Sequence, residues 1–287
     1  MKTLLIPTDF SAPAMHALKY AVPFAQKLEA KIVLFHAHPL ADYYAEAPAY
    51  MIIEKTETIK QLALRRLEGV RKTILEENPG LTVEIVIQQG PFQRELHMYL
   101  EEYPVDWIIM GTKGAQGIRK IFAGTQTAKV IGHTSCPVLA IPEKSNFKGI
   151  SDILYATNFE DETEYVLRQV AAIASRFHAK VHILHIASSE DEATHQIFDW
   201  YQDVIGQFIP AKSTSFHRMV HTDIEAGIQS FVDTLKPDML IMSTRRRNWK
   251  ENLIEGSHTR NMAFQTHVPL LALHAETFEY EIEKTEI

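Results

Sequence analysis

The residues best suited to chemistry are Gly111-Thr-Lys-Gly114, then nine residues, then Gly124-Thr125, with Thr127 two positions beyond. Glycines let backbone amides approach an anion closely, and a helix N-terminus offers unpaired N–H groups and hydroxyl caps to phosphate. The spacing therefore reads as a phosphate cradle with two walls, to which Lys113 adds one positive charge. It is not a Walker A loop, because no Gly-Lys-Ser/Thr follows, and it is not a Gly-x-Gly-x-x-Gly turn after a first strand. Loop glycines and a plain helix cap at Gly124-Thr125 are the simpler alternative.

No catalytic constellation accompanies the cradle. There is no Gly-x-Ser-x-Gly elbow and no His-Glu-x-x-His, and no pair of acids is tied to it as a strong base for water. Fourteen histidines raise the question of a metal. His36 and His38 share a strand face, His182 and His185 take opposite faces, and His217 and His221 lie near another strand. Metal ligation needs third and fourth ligands that the sequence does not nominate, so these are read as satisfied or surface histidines. The single cysteine, Cys136, stands in the apolar run Cys136-Pro-Val-Leu-Ala-Ile and reads as a small buried hydrophobe.

The elements that must position the cradle follow from periodicity. Short runs rich in Ile, Val and Leu alternate with longer amphipathic stretches, the pattern of βαβ units feeding a parallel sheet covered on both faces. Strands are expected near 2–7, 31–36, 82–88, 106–110 and 136–141, with helices near 12–28, 52–77, 92–102 and 125–133. A second set of strands is expected near 152–156, 180–186, 214–220, 238–242 and 268–273. In such sheets ligands bind outside the carboxyl ends of the strands where the order reverses.

The two sets are copies of one unit. Residues 4–38 over 153–187 give eight identities in 35 positions without gaps, at an offset of 149. Asp106 through Ile141 lies over Asp238 through Leu273 at an offset of 132. The first copy therefore carries 17 extra residues between His36 and Asp106, placed in the 39–60 region. The domains are drawn as 1–146 and 147–287, with a linker around Pro142–Gly149.

The chain has 287 residues, 46% of them hydrophobic, and a net charge of −7, which argues for a globular protein without a broad footprint for nucleic acid. Residues 147–287 hold 13 basic and 21 acidic side chains, five of the acids in the stretch Glu276–Glu286, read as a solvated tail. No run approaches the ~18 apolar residues of a membrane span. The expectation is a cytoplasmic protein.

Gly-x2-Gly-x9-Gly-Thr after the fourth strand, Pro7-Thr8-Asp9 after the first and the terminal Cys-Pro-Val-Leu strand together resemble the universal stress protein family, as a tandem of two such domains. The resemblance implies an open, five-stranded parallel α/β sheet of the Rossmann-like, adenine nucleotide alpha hydrolase-like (HUP) type. It implies an ATP site in the first domain. Gly111, Gly114, Gly124, Thr125 and Thr127 would surround ribose and triphosphate, the Pro7-Thr8-Asp9 turn would place Asp9 near the sugar, and the Ala37 backbone would meet adenine. Magnesium or manganese is expected to bridge the phosphates, because the cradle supplies little positive charge beyond Lys113. Family members pair through their last strands, so Val138–Ile141 and Leu270–Leu273 are expected to meet within this chain.

The second copy departs from the pattern. Asn158 replaces Asp9, Ser243 replaces Gly111, Arg245 replaces Lys113 and Arg246 replaces Gly114, while Gly256-Ser257 survives. This cradle is expected to be closed or rebuilt. Arg245-Arg246-Arg247 either anchors a different anion or pairs with Glu251 and Glu255. The leading expectation is a nucleotide-dependent stress sensor with one site, whose partners are an adenine nucleotide, a second copy of the chain and an unidentified protein. The alternatives are a weak ATPase using the same pocket and a nucleotide-independent scaffold.

Overall fold

The computed structural model describes residues 1–38, 49–112, 126–159, 164–187, 189, 192–245 and 258–275. In the first half β1 (Thr3–Pro7), β2 (Lys31–His38), β3 (Val83–Gln89), β4 (Trp107–Thr112) and β5 (Val138–Pro142) alternate with α1 (Ala12–Leu28), α2 (Ala49–Glu77), α3 (Phe92–Glu102) and α4 (Gln126–His133). The second half repeats this with β6 (Asp152–Thr157), β7 (Lys180–Ala187), β8 (Thr214–Val220), β9 (Met239–Arg245) and β10 (Leu270–Ala275). Its helices are α5 (Glu164–Phe177), α6 (Glu192–Gly206), α7 (Ile224–Leu235) and α8 (His258–Gln265).

All ten strands lie in one sheet, in the order β3-β2-β1-β4-β5-β10-β9-β6-β7-β8. Strands apolar on both faces require cover on both faces, and Leu4, Leu5, Ile6, Ile108 and Ile109 are fully buried. One core joins the sheet to α1, α2, α5 and α6 through Phe24, Leu67, Val170 and Ile205. The other joins it to α3, α4, α7 and α8 through Leu96, Ile131, Val232 and Met262.

Pairing is parallel within each half and antiparallel at the seam, where Leu270, Leu271 and Ala272 face Ala140, Leu139 and Val138. The expected meeting of last strands is therefore observed. Proline trims both seam strands: each was expected two residues earlier, but Pro137 and Pro269 have no N–H to give a ladder. Their carbonyls still accept from Ile108 N–H and Leu240 N–H, at 2.9 Å each.

The halves share more than a strand pair. Phe24 stacks on Phe177 with centroids 5.6 Å apart, and His274 Nε2–H donates to the Ile131 carbonyl at 2.7 Å. The connection after β5 is tied down as well: His16 Nε2–H donates to the Ser145 carbonyl at 2.7 Å, the Ser145 hydroxyl donates to the His267 carbonyl at 3.1 Å, and Phe147 packs edge-on against Tyr20 and Phe24.

The extra chain of the first half goes largely into α2, which has 29 residues against 15 in α6. Residues 39–48 of the expected insertion lie outside the described residues. No helix among the described residues is long and apolar enough to cross a membrane.

Candidate functional site

In the order β3-β2-β1-β4-β5 the chain runs one way from β1 and the other way from β4, so a crevice opens beyond their carboxyl ends. Pro7 closes β1 opposite Phe35. Thr8 is then held on three sides. Its N–H donates to the Phe35 carbonyl at 2.8 Å, its carbonyl accepts from His36 Nδ1–H at 2.7 Å, and its hydroxyl accepts from Phe10 N–H at 3.1 Å. Phe10 takes φ +63°, a conformation costly for a bulky residue, and its ring lies 5.0 Å from the His36 ring on one side and 4.2 Å from the Arg66 guanidinium on another.

This turn presents Asp9 outward. Its Oδ1 accepts from Ser11 N–H at 2.9 Å, and Ser11, not Asp9, caps α1, its hydroxyl accepting from Ala14 N–H at 3.4 Å. Partial burial pushes the Asp9 carboxyl up, but hydrogen bonds from the Ser11 hydroxyl and N–H and from its own amide, with His36 nearby, hold it below the ordinary value. The crevice therefore holds an exposed carboxylate, charged at neutral pH.

Ala37 lies on the neighbouring strand. Odd residues of β2 turn their amides toward β1, since Lys31 N–H donates to the Lys2 carbonyl and the Phe35 carbonyl accepts from Thr8 N–H. Ala37 turns the same way but stands beyond the end of β1, so its amide edge faces the crevice. Across the crevice, Gly111 pairs with Ile141 in β4. A Cβ there would fall well under 3.0 Å from the Pro13 carbonyl, so the first turn of α1 presses directly onto this glycine. Thr127, in the first turn of α4, is buried and donates its hydroxyl to the Gly111 carbonyl at 3.0 Å.

The structure thus gathers Pro7, Thr8, Asp9, Ala37 and Gly111, and places Thr127 directly behind Gly111. Lys113, Gly114, Gly124 and Thr125 lie outside the described residues, as do Arg246, Arg247, Glu251, Glu255, Gly256 and Ser257. Residue spacing did not single out His36, Phe10 or Arg66 as partners of the turn. For His36 and Phe10 the signal was the repeat itself, because His185 Nδ1–H donates to the Thr157 carbonyl at 3.1 Å and Phe159 N–H to the Thr157 hydroxyl at 2.9 Å. Phe159 also repeats the positive φ, at +67°, and stacks between His185 and Tyr201. Thr259 likewise donates to the Ser243 carbonyl at 2.9 Å, as Thr127 does to Gly111.

Elsewhere His182 bridges Asp152 and Ser215, and His221 accepts from Asp223 N–H. Among the described residues no group of three or more His, Cys, Asp or Glu is arranged to hold a metal.

The sequence profile of the universal stress protein family matches residues 1–142 and again residues 149–274. The chain belongs to the universal stress protein family. A family relative from Thermus aquaticus is 32% identical over 142 residues, 49% of this chain and 98% of its own length. A family structure from Archaeoglobus fulgidus superposes over 96% of this chain and 98% of its own with a TM-score of 0.76, at 19% identity, so its likeness is one of tandem fold. A universal stress protein solved in complex with cAMP covers 45% of this chain and all of its own, at 17% identity and a TM-score of 0.39.

Proposed function

We propose that residues 1–146 bind an adenine nucleotide, ATP with Mg2+ or Mn2+, at the β1/β4 crevice, and that residues 147–287 form a partner domain whose own crevice has lost this role. The observation that carries the reading is the convergence of three different groups on one crevice: the Asp9 carboxylate, the Ala37 amide edge and the Gly111 backbone. A carboxylate accepts sugar hydroxyls, an amide edge reads a base, and the glycine-rich sequence after Gly111 offers amides to phosphate.

The chemistry of these groups fits such a ligand. Asp9 would orient the ribose, Ala37 the base, and Gly114, Gly124 and Thr125 the phosphates, with Lys113 and a divalent cation offsetting their charge. The cation would supply phosphate neutralisation. An acid engaged with ribose is poorly placed to activate water at the far phosphate, so the protein acts as a binding module. Occupancy then changes the surface offered to a protein partner, which is how a nucleotide level becomes a stress response.

The test is to denature freshly purified protein and identify the released nucleotide by chromatography, and then to titrate emptied protein with Mg-ATP, AMP and cAMP. The expected result is one ATP or ADP per chain, lost in Gly114→Arg, which copies the second half. Protein that carries none, and that binds none when titrated, overturns the reading.

A further inference from the structure

On the face opposite α1 and α2, a second feature separates the halves. In the second half the α7–α8 seam is bridged by polar contacts: Glu225 accepts from Asn261 Nδ2 at 2.7 Å and meets His258 Nδ1 at 3.1 Å, and Asp233 lies 3.6 Å from His267. The 132-residue offset places Gln93, Gln126 and Lys129 where Glu225, His258 and Asn261 stand. In the first half Gln93 Nε2–H donates to Gln126 Oε1 at 2.9 Å, and below that contact the α3–α4 seam opens into a groove of about 530 Å3. Sites for small ligands run from about 300 to 1,000 Å3.

The groove has an apolar floor and a polar rim that carries the Lys129 ammonium. Leu96, Leu100 and Val130 form the floor, and Arg94, His97, Lys129 and His133 stand at the rim, where His97 meets Glu101 at 3.2 Å. Two rim groups are already steadied by the protein. Arg94 pairs with buried Glu95 at 2.6 Å, and His133 Nδ1–H donates to the Lys129 carbonyl at 2.7 Å. The Lys129 ammonium is exposed and takes part in no ion pair with a described residue. The Lys129 ammonium selects for an anion, and the apolar floor selects for a hydrocarbon.

We propose that the α3–α4 groove binds a linear alkyl carboxylate, with its charged end at Lys129 and its chain along Leu96, Leu100 and Val130. Its lining residues are distinct from those of the β1/β4 crevice.

Isothermal titration of the full chain with octanoate, decanoate and dodecanoate, each below its micellar range, tests this. Affinity is expected to rise up to about four-fold for each methylene the floor covers. Lys129→Glu, an exposed change that leaves the core intact, is expected to weaken dodecanoate binding at least ten-fold. Leu100→Trp, which fills the groove, is expected to abolish it. Absence of saturable binding, equal binding of dodecyltrimethylammonium, or affinity unchanged in both variants overturns the proposal.

Discussion

His36 donates to the Thr8 carbonyl at 2.7 Å, and one repeat later His185 makes the same bond to Thr157 at 3.1 Å. In each half a histidine on the second strand thus fixes the turn after the first strand. The position between the threonine and the phenylalanine of the turn is Asp9 in the first half and Asn158 in the second.

Replacing His36 by Phe keeps the ring but removes the donor. The loss is expected to cost about 0.5–1.5 kcal/mol, the net worth of one such bond, and to weaken nucleotide binding because Asp9 loses its fixed platform. His185→Phe is expected to show a loss of stability with unchanged nucleotide affinity. Urea denaturation beside equilibrium binding separates the two.

Gly111→Ala pushes a methyl into the Pro13 carbonyl, whereas Gly132→Ala meets only the Arg260 side chain at 3.4 Å. The first is expected to destabilise by about 1–3 kcal/mol, the scale of overpacking. The second is expected to change the urea midpoint little.

Burial raises the Cys136 thiol to about 12, with the neighbouring Asp106 charge adding to the effect. The native protein is expected to react with a thiol reagent at pH 8 far more slowly than the urea-unfolded chain. Comparable rates in the two states would contradict the burial.

Two histidines make stability depend on pH. Burial lowers His217, with His182 and Lys180 adding repulsion; burial also lowers His185, where Arg218 adds to it and a hydrogen bond to Thr157 opposes it. A depressed folded pKa means that the unfolded chain binds the proton more readily. The contribution is therefore present above 6.5, the ordinary value, and is lost as pH falls through the folded values. The urea midpoint is expected to drop on acidification from pH 7 toward pH 5, and to drop less in His217→Gln. Asp9 acts in a lower window, since its depressed pKa removes stability only as pH falls below 3.8.

The shared core predicts one unfolding transition for both halves. Phe24, Phe147 and Phe177 form a continuous aromatic cluster across the connection. Fluorescence of buried Trp107, in a variant with the other two tryptophans replaced, is expected to change at the same urea concentration as far-UV circular dichroism.

Periodicity located the strands and helices because apolar runs buried on two faces leave a strong local signal, as in Leu4–Ile6 and Ile32–Phe35. The repeat located the duplication. Neither signal could show that Ser11 caps α1, since Asp9 and Ser11 are both good caps and the choice rests on the positive φ at Phe10. Nor could spacing show that Arg66, 56 residues beyond Phe10, lies over its ring. The α3–α4 groove was equally hidden, because it depends on which side chains fail to meet across a seam.

The antiparallel seam between β5 and β10 has an evolutionary consequence. In a symmetric homodimer every substitution arrives twice, once in each copy of the site, so a binding residue cannot be given up on one side and kept on the other. A tandem chain escapes that rule. Asn158 and Ser243 stand in one half while Asp9 and Gly111 stand in the other, so each half can change its site without changing the other's.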